Sequence, residues 1–337
     1  MDRERQLPEL IGQSPVFLDA LAHASATAAL DRPLLIFGER GSGKELLAGR
    51  IHFLSPRWEG PFVKLNCAAL SDDLLDSELF GHEAGAFTGA TRRHAGRFER
   101  AEGGTLFLDE IASASFRIQE KLLRVIEYGE YERVGGSDTR IADVRVVAAA
   151  NVDLRSLAAS GKFRADLLDR LAFDVITAPP LRARREDVPL LAAHFASGLA
   201  REIGARFEGF SAGAMAAFLA HDWPGNVREL KNAAERSLYR WIAAGSAGPV
   251  DKVNIDPFGG SAAPERTSAA EMSKAARSET FDLRRELDAV EKRWVEDALA
   301  ACGGNQKGAA ARLRLTYDQI RGLVRKHGLS PLRAPAK

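Results

Sequence analysis

The residues best suited to chemistry in this chain of 337 form a glycine run that ends in a lysine: Gly38, Glu39, Arg40, Gly41, Ser42, Gly43 and Lys44, followed by Glu45. An apolar, strand-like stretch, Leu34-Leu35-Ile36-Phe37, precedes the run, and a helix is expected to open near Glu45. Glycines let successive backbone N–H groups turn inward around phosphate oxygens. A helix N-terminus adds partial positive charge, and a lysine at this spacing can reach the β- and γ-phosphates. A bare glycine turn needs neither the lysine nor the flanking strand and helix, so the run reads as a nucleotide-binding P-loop.

Glu45 departs from the general P-loop rule, because it stands where a serine or threonine hydroxyl would normally hold Mg²⁺. The metal must then rely on other ligands. Leu106-Phe107-Leu108-Asp109-Glu110 is an apolar strand ending in two acids, a Walker B pattern. There Asp109 can hold the magnesium ion through its water shell and Glu110 can polarise an attacking water. Two acids at a strand end can also cap the next helix, where its dipole welcomes negative charge. Beside the P-loop, the catalytic reading takes precedence.

Strands and helices must bring these segments together. From residue 34 to about residue 176, short apolar runs such as Leu34 to Phe37, Thr105-Leu106-Phe107-Leu108 and Val144-Arg145-Val146-Val147 alternate with longer helix-like stretches. This predicts an α/β fold, a parallel sheet with helices on both faces. Between Val188 and Ala244 the periodicity becomes helical, with Leu190, Leu191, His194 and Phe195, then Met215, Phe218 and Leu219, so a small all-helical domain should follow. Residues 259–280 are rich in Gly, Ala and Ser, contain Pro264 and read as a flexible linker. A last helical module begins near Phe281, where Leu287, Val290, Trp294 and Leu299 recur at helical spacing before Gly303-Gly304 ends the helix.

Length favours two or three domains. With 47 basic and 46 acidic residues, the whole molecule carries no field that announces a nucleic-acid partner. The positive charge collects in the tail, where eight Lys or Arg from Cys302 onward (Lys307, Arg312, Arg314, Arg321, Arg325, Lys326, Arg333, Lys337) face one acid, Asp318. Cys67 and Cys302 have no C-x-x-C neighbour, so neither a disulfide framework nor a zinc site is suggested. Met1-Asp2-Arg3-Glu4-Arg5 leads into no apolar region, and no run approaches the roughly 18 apolar residues of a membrane helix. A cytoplasmic protein with no membrane insertion is expected.

The hexapeptide Gly85-Ala86-Phe87-Thr88-Gly89-Ala90, with Glu78-Leu79-Phe80-Gly81-His82-Glu83 upstream, is more specific. Two glycines and two alanines leave the loop little side chain to pack, so Phe87 and Thr88 can project as an apolar finger. An isolated phenylalanine is more commonly buried in a core. The full hexapeptide, however, resembles the AAA+ family of bacterial enhancer-binding proteins, in which it tips a surface loop that touches sigma-54. Other stretches carry the resemblance along almost the whole chain: Leu65-Asn66-Cys67, Arg133-Val134-Gly135-Gly136, Phe163-Arg164-Ala165-Asp166-Leu167-Leu168-Asp169-Arg170-Leu171 and Trp223-Pro224-Gly225-Asn226-Val227-Arg228-Glu229-Leu230. It is strongest toward activators of phage-shock operons.

That resemblance implies ATP and Mg²⁺ as cofactors and a ring of identical subunits, a hexamer, acting on the sigma-54 RNA polymerase holoenzyme. It implies that Asn66 is the switch holding Glu110 away from water and that Asn151 is sensor I. Arg164 and Arg170 become arginine fingers reaching into a neighbour's site, and Arg228 becomes sensor II. A guanidinium from the next subunit would stabilise charge gathering on a γ-phosphate leaving group, which ties hydrolysis to assembly. Six residues of helix turn through about 600°, so the two arginines need not share a face. Where the family usually has Ala-Thr-Asn at sensor I, this chain reads Ala149-Ala150-Asn151, without the hydroxyl. Leu10-Ile11-Gly12-Gln13-Ser14-Pro15 starts the ATPase domain almost at once, so control is expected from a separate inhibitory protein of the phage shock protein A type.

Near the other end, Asn305-Gln306-Lys307-Gly308-Ala309-Ala310-Ala311-Arg312-Leu313 predicts a short helix, Arg314-Leu315 a turn, and Thr316 the N-cap of a second helix through Lys326. Ile320, Leu323 and Val324 form its inner stripe. Thr316, Tyr317, Asp318, Gln319, Arg321, Arg325 and Lys326 are then the candidates to meet DNA. A plain helical hairpin would explain the stripe equally well; the basic excess and the family's domain order favour a Fis-type helix-turn-helix that binds double-stranded enhancer DNA. The expected domains are the α/β ATPase at 8–178, its helical lid at 179–258, the linker at 259–280 and the DNA-binding module at 281–330. Two functions compete: an ATPase that remodels sigma-54 polymerase, and a nucleotide-gated DNA-binding repressor that remodels nothing. The Phe87-Thr88 finger favours the first.

Overall fold

Strand alternation explains the central sheet. In the computed structural model, which describes residues 10–257 and 283–329, the strands are β1 (Leu34–Phe37), β2 (Phe62–Asn66), β3 (Thr105–Asp109), β4 (Glu130–Tyr131), β5 (Arg140–Ile141), β6 (Arg145–Ala150) and β7 (Val175–Thr177). Five of them form a parallel sheet in the order β2-β3-β6-β1-β7, while β4 and β5 make a small antiparallel pair. Along β6 every residue is buried. Val146, Ala148 and Ala150 enter one core with Leu35, Leu106 and Leu108. Val147 and Ala149 enter a second core with Leu34, Ile36 and Phe107. Side chains alternate faces with period two, and a parallel sheet covered on both sides needs apolar residues at each step.

The covering helices are α1 (Pro15–Ala28), α2 (Lys44–Phe53), α3 (Asp72–Phe80), α4 (Arg97–Arg100), α5 (Phe116–Tyr128), α6 (Leu154–Ala159) and α7 (Ala165–Leu171). In α5 the buried residues Ile118, Leu122 and Val125 recur at helical spacing, and Gly129 ends the helix in the left-handed conformation, φ 72°.

The lid consists of α8 (Val188–Glu202), α9 (Ala212–Ala220) and α10 (Asn226–Ala243). Trp223, Phe218, Leu191 and Leu230 share its core, and the Trp223 indole donates to Phe218 O at 2.9 Å, so the ring is buried without stranding its N–H. Of the apolar residues read from the periodicity, Leu190 and Leu219 are exposed. Beyond α10 the chain returns along the lid. Val250 N–H donates to Gly209 O at 2.9 Å, Asn254 N–H to Ser237 Oγ at 2.8 Å, and Arg236 Nη1 to Ile255 O at 3.0 Å.

The chain divides into two compact units, residues 1–260 and 261–337. The expected linker, 259–280, and the start of the first domain at residue 8 lie outside the described residues, as do Phe281, Arg333 and Lys337. The second unit holds α11 (Leu283–Ala301), α12 (Gln306–Leu313) and α13 (Tyr317–Lys326). Its core is Val295, Ala298, Leu299, Ala309, Ala310, Ile320 and Val324. Of the apolar residues read on α11, Leu299 joins this core, and two others are corrected. Val290 and Trp294 are exposed, because the packed stripe runs through 295, 298 and 299, about 100° round the helix from 294. Gly303 and Gly304 take positive φ after α11, and Arg314 makes the left-handed turn between α12 and α13. No helix of the described residues is long and apolar enough to cross a membrane.

Candidate nucleotide site and its attached loops

β1 delivers the glycine run at its C-terminal end, where Gly38 N–H donates to Ala150 O of β6 at 3.1 Å. Gly41 and Gly43 have φ of 74° and 101°, which only glycine adopts without strain. The N–H groups of Gly41, Gly43 and Lys44 find no acceptor among the described residues, and the position of a Cβ on Gly43 has nothing within 4 Å. Orphan donors around open space at the start of α2 are what a phosphate chain requires, so the residues fit a nucleotide. Lys44 is buried and its Nζ donates to Gly38 O at 2.9 Å and Glu39 O at 3.0 Å. Burial pushes its pKa down, against the pull of Asp109 and Glu110. Asp109 is pushed up by burial, with the Lys44 charge opposing.

Asp109 ends β3 and accepts Glu110 N–H at Oδ1, 2.9 Å, leaving Oδ2 without a hydrogen bond among the described residues. That oxygen can face a hydrated cation. Glu45 points elsewhere, its carboxylate paired with Lys64 of β2 at 2.8 Å. Glu110 has left-handed backbone, φ 53° and ψ 44°, and its carboxylate lies 3.1 Å from Arg40 Nε. Asn66 lies opposite Asp109 in the β2–β3 register, yet its Oδ1 accepts Ala68 N–H at 2.8 Å and it makes no hydrogen bond to Glu110 here. Asn151 is half-buried directly after β6, and Ala150 beside it is fully buried in the core.

The lid closes over the P-loop through residues whose roles the sequence did not disclose. Asn226, fully buried and at φ 55°, donates from Nδ2 to Arg40 O (3.0 Å) and Glu39 Oε2 (3.1 Å), and accepts Leu181 N–H at Oδ1 (2.8 Å). Arg182 grips both Glu39 oxygens at 2.5 and 2.7 Å. Hydrogen bonds from Arg182 and then Asn226 bring the Glu39 carboxyl down to about 2. Buried Arg184 donates to Ser42 O at 3.0 Å over the Phe17 ring, and buried Asp187 accepts Gln13 N–H, Ser14 N–H and Ser14 Oγ–H. An asparagine after Pro-Gly at a helix start was the available signal for Asn226, since asparagine tolerates left-handed backbone. Nothing local marks Arg184 or Asp187. Arg228 is exposed and lines a cleft of about 420 Å³ with Arg40, His221, Glu229 and Arg236.

Arg164 and Arg170 are not brought to this cluster. Arg164 is the N-cap of α7 and pairs with Asp166 at 2.7 Å; Arg170, near the helix end, pairs with Glu127 at 2.6 Å.

The hexapeptide forms a pinned turn. Gly85 N–H donates to Ala90 O at 2.7 Å and Ala90 N–H to Phe87 O at 3.0 Å, while Gly85 and Gly89 take positive φ. Ala90 is buried, Thr88 and Gly89 are exposed, and Phe87 is 44% exposed with its ring edge on His82 at 4.9 Å. The base rests on the segment after β4. Glu83 N–H donates to Val134 O and Val134 N–H to Gly81 O, and buried Arg133 joins Glu83 at 2.6 Å and Glu99 at 2.5 Å. Ala86 packs so closely on Gly135 that a Cβ there would come within 2.6 Å.

In the second unit Thr316 and Gln319 form a reciprocal capping box at the start of α13. Tyr317, Asp318, Arg321 and Arg325 are exposed. Lys326 is the exception among the expected DNA contacts: its ammonium bonds Asp288 and Glu291 of α11, each at 2.6 Å.

Comparison with known proteins agrees with this arrangement. Residues 10–177 match the family described as Sigma-54 interaction domain, 182–243 the AAA+ ATPase lid domain, and 286–322 the Bacterial regulatory protein, Fis family. The chain is 54% identical over 319 residues to the Psp operon transcriptional activator of Escherichia coli (strain K12), covering 94% of this chain and 97% of that protein. It is 42% identical over 316 residues to the transcriptional regulatory protein ZraR of the same strain, covering 92% of this chain and 67% of ZraR. The crystal structure of NtrX from Brucella abortus in complex with ATP superposes with a TM-score of 0.70 at 31% identity, covering 97% of this chain and 71% of that one. A P-loop ATPase body, a helical lid and a Fis-type helix-turn-helix in this order, with a relative of 54% identity along nearly the full length, place the chain among the sigma-54-dependent transcriptional activators.

Proposed function

We propose that this activator, bound to double-stranded enhancer DNA, works in the cytoplasm as a hexameric ring that spends ATP to remodel the closed complex of sigma-54 RNA polymerase into the open complex. Its target is a phage-shock operon that answers membrane stress. Lys44 and the P-loop N–H groups hold the triphosphate, Asp109 holds Mg²⁺ through water, and hydrolysis supplies the free energy. Glu110 takes the proton of the attacking water, with Asn66 as its switch, Asn151 as sensor I and Arg228 as sensor II. Arg164 and Arg170 leave their own surface carboxylates to reach a neighbour's phosphate. Exposed ion pairs contribute only about 0–1 kcal/mol, so that exchange costs little. Gly85 to Ala90 touch sigma-54, and Thr316 to Gln319, Arg321 and Arg325 meet DNA, with Lys326 joining only if it leaves Asp288 and Glu291. The domains are taken as 8–178, 179–258, 259–280 and 281–330, and an inhibitory protein of the phage shock protein A type controls hydrolysis.

One observation carries the reading: an exposed Phe87-Thr88 tip on a base clamped by Arg133, in the same body as the P-loop and lid. A repressor has no use for such a tip. The likeness to the Psp operon activator supports the choice of operon and of inhibitor. The test scores heparin-resistant open complexes on linear DNA carrying a sigma-54 promoter, with ATP and with a non-hydrolysable analogue. Open complexes should form with ATP alone. None in either case, beside tight site-specific DNA binding, would instead establish the nucleotide-gated repressor. Thr88→Ala should keep ATPase activity within about twofold and lose open complexes, and a variant that still activates removes the loop's role.

A further inference from the structure

We infer that Arg40 is a positioning residue for hydrolysis, holding the Glu110 carboxylate until the P-loop rearranges. The inference rests on Glu110 being the carboxylate that accepts the proton of the attacking water.

Glu110 has little freedom of its own. Its left-handed backbone is fixed on both sides, N–H to Asp109 Oδ1 at 2.9 Å and C=O from Ser113 N–H at 2.9 Å. A non-glycine residue in this region costs about 1–3 kcal/mol and persists only where its surroundings hold it. The side chain is 17% exposed and its Oε1 lies 3.1 Å from Arg40 Nε. Of the other cations near the loop, Lys44 is engaged on Gly38 O and Glu39 O and Arg182 on Glu39, while Arg228 lines the same cleft as Arg40 without an ion pair to Glu110 among the described residues. The residue the family resemblance names as the switch, Asn66, bonds Ala68 rather than Glu110. Arg40 is therefore the group that restrains the carboxylate in this arrangement.

Its own place is set from the lid, because Arg40 O accepts the Asn226 amide at 3.0 Å. The guanidinium is otherwise 69% exposed, so its removal should leave the fold nearly intact. A carboxylate drawn to a guanidinium at one oxygen keeps its other lone pairs but is held in one orientation, so it does not turn freely toward an attacking water, and residue 40 lies within the loop that receives the phosphates. Arg40 thereby links the state of that loop to the freedom of Glu110, inside one subunit.

The test compares Arg40→Ala and Arg40→Lys in the full chain. For Arg40→Ala, basal kcat should rise about threefold or more while KM stays within about twofold, with Arg40→Lys between it and the parent. In nucleotide-free protein, amide hydrogen exchange at residues 110–113 should quicken by about threefold in Arg40→Ala, a readout independent of turnover. Unchanged exchange and unchanged kcat would overturn the assignment. So would a KM raised about tenfold with kcat level or lower, which would make Arg40 a phosphate contact. Glu110→Gln tests the underlying reading separately. Lost hydrolysis with retained binding of a slowly hydrolysed ATP analogue upholds Glu110, whereas normal hydrolysis by Glu110→Gln removes its role and the inference with it.

Discussion

The P-loop and the hexapeptide loop are both glycine turns with left-handed backbone, but they use glycine for opposite ends. At Gly41 a Cβ would lie 2.3 Å from Gly225 O of the lid, and Val227 N–H donates to Gly41 O at 3.0 Å, so the missing side chain permits backbone to meet backbone. At Gly85 and Gly89 a Cβ would meet nothing within 4 Å. Around the first turn, buried Asn226, Arg184 and Asp187 satisfy main-chain groups on several segments. Around the second, the base is clamped by Arg133 and the tip is left bare. One turn is over-determined and the other is held only at its root, as suits the proposed phosphate cradle and the proposed sigma-54 contact.

The comparison breaks most sharply at Gly41. Gly41→Ala must shift the lid backbone, and it should cost about 4 kcal/mol or more in folding stability and raise the Kd for ATP at least about tenfold, read by urea denaturation and calorimetric titration. An unchanged Kd would mean that the lid contact does not shape the site.

A smaller effect should appear in acid, on the helix the P-loop opens. His52 of α2 is buried, its Nδ1 2.9 Å from Thr105 Oγ1 and its ring stacked on Phe62 at 5.0 Å. Burial, helped by the charge of Arg145, lowers its pKa to about 4. The unfolded chain takes up this proton near pH 6.5, so the stabilising effect of the neutral ring is complete above that pH. It is lost as pH falls toward 4, by about 3 kcal/mol. Urea titrations at pH 7 and pH 5 should show a steeper loss in the parent than in His52→Gln; equal losses would exclude the ring as the cause.

Gly85→Ala marks the small end. With open space for the methyl, only the left-handed backbone is penalised, about 1 kcal/mol in thermal unfolding, and the Kd for ATP should stay within about twofold. A Kd that moves as far as in Gly41→Ala would erase the distinction between the two turns.

Much of this architecture was legible in the chain because its signals are local. The strand before Gly38, the acids ending β3, the Thr316 cap and the Arg314 turn each depend on neighbours a few residues away. The lid junction was not legible because its partners are distant in sequence. Glu39 meets Arg182 143 positions on, and Asn226 meets Glu39 across 187. The partners of charged residues were not legible for a related reason. A long side chain can reach any nearby carboxylate, and Glu45 on Lys64 or Lys326 on Asp288 is decided by which elements pack together. On α11 the apolar spacing was real, but which side faced inward depended on α12 and α13.

The returning segment after α10 has a mechanical side. Asn254 and Ile255 are tied to Ser237 and Arg236, both on the lid helix whose first turn carries Asn226 and Arg228. Residues 254 and 255 are thereby held to α10 and follow its movements. The cleft that Arg228 and Arg236 line draws on the same helix, so the returning segment and the cleft share one rigid arm.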